Sequence, residues 1–253
     1  MHVGMSSTGN LKEKYGSTLK DILKDLDKVD LSNCIADASS LCDLAYELGY
    51  SPYTLLTDAK ATRSKVLDAI KYAISNLDEG DIFFASFSGF SGPLGVGPMI
   101  QGTTAQHGFA LQDDIIYEME LYDLWAQFKP GVRIVFVQDS MFLPSHPSKA
   151  NKLLGLTSMA PRAISAPELY DTDVDLPNAI AHKALRHGDI LASVLLIASS
   201  QNSESAVPGV FVKQLLDIVD NGKFDRSFKD FLYKLKQKYA ATIPAPLLMS
   251  SWY

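Results

Sequence analysis

Two stretches of this chain are apolar almost without interruption. Ile82-Phe83-Phe84-Ala85-Ser86-Phe87 follows the turn Asp78-Glu79-Gly80-Asp81, and Val132-Arg133-Ile134-Val135-Phe136-Val137 follows Pro130-Gly131. A strand with one face in water alternates apolar and polar residues. A short, nearly continuous apolar run bounded by turn residues instead fits a strand covered on both faces. Another such run lies within Asp189–Ser199. Its apolar core, Leu191–Ala198, is far shorter than the roughly 20 residues a membrane span needs.

Helical periodicity fills the intervals. Asp37–Leu48 has helical spacing and stops at Gly49, a residue suited to the left-handed turn after a helix. Thr62 is placed as an N-cap, with Val66, Leu67, Ile70, Ala73, Ile74 and Leu77 following on one face. Glu118–Gln127, Pro167–Arg186, Gly209–Val219 and Phe228–Tyr239 complete the helices. His2–Met5 and Tyr53–Leu56 are short strands, Leu247–Trp252 is an edge strand, and Asn10–Leu31 is a polar surface segment with some helix. Strands alternating with helices predict an α/β fold with a mostly parallel central sheet and helices on both faces. Without an internal repeat or a linker, residues 1–253 read as a single domain.

The net charge of −6 and the absence of a clustered basic face argue against nucleic acid as a partner. Lys229–Lys238 is basic, but at helical spacing with Asp230 among the lysines, as on a solvated helix face. Cys34 and Cys42, eight residues apart on one helix, sit about 12 Å apart, too far for a disulfide. Free thiols, and a first strand that leaves no room for a signal peptide, predict a cytoplasmic protein without membrane attachment.

In a mainly parallel sheet, ligands bind where loops leave the carboxyl ends of the strands. Ser88–Gly102 and Ser140–Pro161 are the loops that qualify. There is no GxxxxGK[ST] and no GxSxG elbow, and Gly92-Pro93-Leu94-Gly95-Val96-Gly97 does not have the GxGxxG order. His2, His107, His146, His182 and His187 are scattered, so neither a metal nor any other cofactor is expected.

Three segments then read together. Asp37-Ala38 precedes Leu55-Leu56-Thr57-Asp58-Ala59-Lys60-Ala61-Thr62-Arg63. Gly80-Asp81 opens a strand ending Ser86-Phe87-Ser88-Gly89-Phe90-Ser91-Gly92. Gly131 opens another ending Val137-Gln138-Asp139-Ser140-Met141. This order and spacing resemble the caspase-like cysteine peptidases, in particular bacterial metacaspases and orthocaspases. There the second segment typically ends Ser-Gly-His-Gly and the third Asp-Ser-Cys-His-Ser-Gly. His2-Val3-Gly4-Met5 resembles the family's first strand. Leu195–Ser203 resembles its later strand and substrate-pocket loop, and Pro208-Gly209-Val210-Phe211-Val212 the following helix start. The resemblance spans nearly the whole chain and implies a caspase-like three-layer sandwich.

It also implies that the chemistry has gone. The family's dyad histidine falls at Phe90 and its nucleophilic cysteine at Met141, followed by Phe142. Peptide cleavage needs a thiolate to attack the carbonyl and an imidazole to move the proton to the leaving amine. Neither a phenyl ring nor a thioether has a proton to give. The resemblance places the former substrate pocket at Ser88, Gly89, Asp139, Ser140, Gln201 and Asn202. The family holds Arg or Lys with acidic groups there. Asp139 is kept at one such position, Asn202 stands where an acid is usual, and Glu204 lies nearby. The two cysteines map to a helix that in the family lies away from the cleft. The apolar loop after Gly92, with Phe90, Met141 and Phe142, is either core filling or a protein-binding patch.

The expected function is that of a catalytically inactive caspase homologue, binding a protein or peptide as regulator, decoy or scaffold. Two alternatives stand beside it. One is a hydrolase with a relocated nucleophile, Ser140, served by His146 or His107. The other is a small-ligand binder using the Gly-rich loop and Asp139. No compact acidic loop supports calcium; the nearest, Asp171–Asp175, reads as a solvated turn.

Overall fold

A computed structural model describes residues 1–16, 30–94, 107–142, 190–199, 209–219, 223–224, 228–240 and 248–252. Among these, one eight-stranded sheet organises the chain. Strands β1 (His2–Gly4), β2 (Leu55–Thr57), β3 (Ile82–Pro93), β6 (Arg133–Phe142) and β7 (Ser193–Ala198) are parallel, in the order β2-β1-β3-β6-β7. Strand β8 (Leu248–Trp252) closes one edge antiparallel to β7, as the apolar C-terminal segment predicts. Two short strands, β4 (His107–Ala110) and β5 (Ile115–Tyr117), form an antiparallel arm on the far end of β3.

Side-chain alternation assigns the two faces. Phe83, Ala85 and Phe87 of β3, with Ile134 and Phe136 of β6, share one buried cluster with Val66, Ile70 and Ala73 of helix α3 (Arg63–Asn76) and Leu121, Leu124 and Trp125 of α4 (Glu118–Trp125). On the opposite face, Val137 and Ile197 pack with Leu41 of α2 (Cys34–Glu47), Phe211, Val212 and Leu215 of α5 (Val210–Val219) and Leu235 of α6 (Phe228–Ala240). Both faces of β3 and β6 are thus covered, which is why their sequences do not alternate. The result is helices, sheet, helices.

The helix ends follow the sequence. Thr62 caps α3 by accepting the Lys65 N–H. Gly49, at φ +82°, ends α2, and the Tyr50 N–H returns to the Ala45 carbonyl at 2.9 Å. Glu120 accepts the Tyr117 N–H at 2.9 Å and pairs with Arg63, tying the starts of α3 and α4 together.

Several expectations need correction. The predicted loops begin too early, because β3 runs to Pro93 and β6 to Phe142, so Ser88–Gly92 and Ser140–Phe142 are strand residues. Their partners are each other, residue by residue from Ile82↔Arg133 to Ser91↔Phe142. Glycine and serine weaken a strand signal locally, but a paired neighbour overrides it. Helix α2 begins at Cys34, earlier than predicted, and α4 ends at Trp125. The arm β4–β5 carried no sequence signal. The segment before Leu31 includes a short helix, α1 (Leu11–Tyr15), whose Leu11 is buried under that arm. The helix expected at Pro167–Arg186 lies outside the described residues. Among the described residues no helix is long and apolar enough to cross a membrane.

Candidate functional site

The C-terminal ends of β1, β3 and β6, with the residue after β7, carry one row of small and polar residues. Gly4 of β1 pairs with Ser88 of β3, and Ser88 pairs with Asp139 of β6. Ser199 follows β7, and its N–H donates to the Gln138 carbonyl at 2.9 Å, which continues the register beside Asp139. Alternation puts Ser88 and Asp139 on the α2/α5 face.

Helix α2 comes down onto this row because Gly4 has no side chain. A Cβ there would lie 2.8 Å from the Cys34 carbonyl oxygen and 2.9 Å from Ala38 Cβ. Those are backbone and fixed side-chain positions, so only glycine permits the approach. The first turn of α2 thereby brings Cys34 and Asp37, one helical turn apart, over Ser88 and Asp139. Asp37 is also tied to α5, accepting the Gly209 N–H on Oδ2 at 3.1 Å.

The site is a buried acidic cluster. Asp139 is 4% exposed and Asp37 7%, while Ser88 and Ser199 are wholly buried. Among the described residues Asp139 Oδ2, Ser88 Oγ and Ser199 Oγ have no well-formed hydrogen-bond partner. Among the described residues neither carboxyl has an ion-pair partner. Burial pushes Asp139 up to about 7, with the nearby Asp37 carboxyl adding to the effect. The Ser199 hydroxyl lies close enough to oppose it in part without making a well-formed bond. Burial likewise raises Asp37 to about 6, against the pull of the Gly209 N–H. A buried carboxyl oxygen without a full set of donors is costly.

Two residues further along the strands lie the positions that the family resemblance assigns to a dyad. Phe90 and Met141 are direct neighbours across β3 and β6. Phe90 is fully buried in a cluster with Leu11, Leu31, Cys34, Leu94, Ala110 and Ile115. The choice between core filling and docking patch is therefore decided for Phe90 and Leu94: both are core.

The structure sorts the predicted pocket residues. Ser88 and Asp139 converge. Gly89 and Ser140, paired with each other, alternate to the opposite face, where Gly89 packs against the Phe87 ring and Met5. Ser140 is buried, 1% exposed, and does not share the trajectory of the Met141 position. Gln201, Asn202, Glu204, His146, His182 and His187 lie outside the described residues, and His107 is described only as a backbone partner of Pro93. Cys34 lies in the buried cluster around Phe90, near the Asp139 and Asp37 carboxyls. Its thiol is pushed up to about 12 by burial and by the acids around it, with Asp139 first among them. Cys34, Asp37 and Ser199 were missed as site residues. The spacing Cys34-Ile35-Ala36-Asp37 was the available signal, since it puts both side chains on one helix face. Cys34 and Cys42 are free and buried, as expected from their spacing.

No family model and no characterised protein matches the chain by sequence. Solved structures do. Protein GSU0716 from Geobacter sulfurreducens is similar over 98% of this chain and 91% of its own, at 26% identity and a TM-score of 0.68. Pro-sf-caspase-1 is similar over 98% of this chain and 84% of its own, at 12% identity and a TM-score of 0.52. Together with the parallel sheet covered on both faces, these give the chain a caspase-like α/β fold.

Proposed function

We propose that this chain is a catalytically silent relative of the caspase-like peptidases, of the bacterial metacaspase or orthocaspase type. In this reading it binds a peptide or protein through a basic side chain and does not cut it. It works as a regulator, decoy or scaffold in the cytoplasm, and its partner is a protein rather than nucleic acid or membrane.

One observation carries the reading. A buried acidic cluster made by Asp37 and Asp139, in which oxygens of Asp139, Ser88 and Ser199 are unpartnered among the described residues, lies two residues below the dyad positions of the resembled family, Phe90 and Met141. The recognition chemistry is kept where the bond-breaking chemistry is absent. A guanidinium or ammonium supplies the donors and the positive charge that the pocket lacks. Phenylalanine and methionine supply neither nucleophile nor base. The buried position of Ser140 lends no support to a relocated nucleophile.

The test is equilibrium binding of fluorescent acetylated peptide amides that differ at one residue, arginine or its uncharged isostere citrulline. The arginine peptide should bind at least tenfold more tightly and be recovered intact. Equal affinity for the two would show that the pocket does not read a basic side chain.

A further inference from the structure

Strand β2 is an edge of the sheet, and among the described residues its one partner is β1. The His2 N–H donates to the Thr54 carbonyl at 2.8 Å. Amide groups of successive strand residues point to alternate sides, so Leu56 also faces β1 while Leu55 and Thr57 aim theirs outward. Natural sheets guard such an edge with charged side chains, proline or a covering element. Leu55-Leu56-Thr57 carries neither charge nor proline.

The surroundings of this edge are apolar. Four of the seven large apolar side chains exposed among the described residues gather here: Tyr46 and Leu48 at the end of α2, Tyr53 just before β2, and Leu55 on it. Tyr46 and Tyr53 meet edge to face, with ring centroids 5.5 Å apart, which pins the end of α2 beside the start of β2. That end is acidic. Asp43 and Glu47 are exposed one turn apart, and the last turn of α2 holds no basic residue. The carbonyl end of the helix adds its own partial negative charge. Lys60, exposed just beyond the other end of β2, has the opposite sign.

We propose, independently of the peptide-binding reading, that β2 pairs antiparallel with β2 of a second copy of this chain, about a two-fold axis through Leu56, joining two sheets into one. Register and charge select this occupant. Leu55 and Thr57 lie on either side of Leu56, so the axis sets Leu55 opposite Thr57 of the partner subunit, and the reverse. Those are hydrogen-bonded pairs of an antiparallel ladder, each exchanging both bonds. The same operation brings Lys60 of the partner subunit to the level of Pro52 and Tyr53, beside the acidic end of α2. The contact is isologous and closes at two copies. A ladder this short leaves most of the affinity to the tyrosine and leucine side chains, so the dimer forms in a concentration-dependent way.

The experiment is sedimentation of the full chain over a wide concentration range at low salt, beside Leu55→Pro, Lys60→Glu and the charge swap Lys60→Glu with Glu47→Lys. Proline removes an N–H that a second strand alone would use, and Lys60→Glu sets acid against acid. Thermal unfolding checks that each variant is folded. The chain should pass from monomer to dimer as concentration rises, and Leu55→Pro should stay monomeric. Lys60→Glu should weaken the dimer about tenfold, and the swap should return it to within about threefold of wild type. If Leu55→Pro does not fold, Lys60→Glu and the swap decide. A chain that is monomeric at every concentration overturns the proposal, and so does a loss in Lys60→Glu that the swap does not recover. A dimer that tolerates both Leu55→Pro and Lys60→Glu also overturns it, and places the contact on another face such as the β8 edge.

Discussion

Phe90 and Met141 sit side by side on neighbouring parallel strands, one pair beyond the Gly89–Ser140 pair and two beyond Ser88–Asp139. Side chains two apart on a strand share a face, so the Phe90–Met141 and Ser88–Asp139 positions stand on the same side of the sheet.

Phe90 is part of the fold's support. It is fully enclosed by apolar side chains of α1, β4, β5 and the ends of neighbouring loops. Phe90→Ala should cost about 3–5 kcal/mol, and Phe90→His should also destabilise, because an imidazole N–H would be buried without a partner. Urea unfolding at neutral pH measures both. Unchanged stability in Phe90→His would mean that the ring has access to water or to a polar partner.

Asp139 should make the empty protein less stable as pH rises. Its folded pKa, near 7, is raised above the ordinary value of 3.8, so the native state holds a proton that the unfolded chain has lost. The native state binds more protons between about 4 and 7, and stability falls across that window. Asp139→Asn removes this part of the dependence and leaves the smaller part due to Asp37. The variant should be no more stable than the wild type at about pH 4 and more stable at about pH 8. The gain should be about 1–3 kcal/mol, since each tenfold change in proton affinity corresponds to about 1.4 kcal/mol. Melting curves at the two pH values give the answer. A wild type that gains on the variant as pH rises would show that Asp139 is held ionised.

Cys34 and Cys42 should resist thiol reagents in the folded protein. Both are buried, and burial raises both thiols. The thiolate is the reactive form, and for Cys34, near 12, it is scarce at neutral pH. Labelling by a chromogenic disulfide should be slow until denaturant is added, then reach two thiols per chain. Prompt labelling of one thiol in the native state would contradict the closed packing of α2 against β1.

Gly4 should matter to binding although it touches no ligand. Gly4→Ala places a methyl against the Cys34 carbonyl and Ala38, and α2 must retreat. Asp37 and Cys34 travel with it, away from Asp139. The variant should lose at least tenfold in affinity for the arginine peptide while keeping a cooperative unfolding transition. Unaltered affinity would show that the approach of α2 does not position the pocket.

Much of this was legible in the sequence. The nearly continuous apolar runs marked the covered parallel strands, and Gly49 and Thr62 marked helix ends that the structure keeps. Ser88 and Asp139 were legible through the family resemblance, and the structure pairs them across β3 and β6. The rest was hidden for physical reasons. Serine and glycine from Ser88 to Gly92 read as a loop because nothing local reveals that β6 pairs along them. The arm β4–β5 is only a few residues per strand, too short for a periodic signal. Asp37 and Cys34 reach the pocket through the close approach at Gly4, a tertiary contact that helix periodicity alone does not disclose.

Turnover decides whether a chain with Phe90 and Met141 at the dyad level binds without cutting. The purified chain is incubated at high concentration with peptides carrying single arginine or lysine residues, and the mixture is followed by mass spectrometry over hours. Intact peptides and an intact chain are expected, with arginine peptides bound and recovered unchanged. Cleavage on the carboxyl side of arginine or lysine, by a preparation in which Met141→Ala leaves the rate unaltered, would contradict the silent-relative reading and place a nucleophile elsewhere in the molecule.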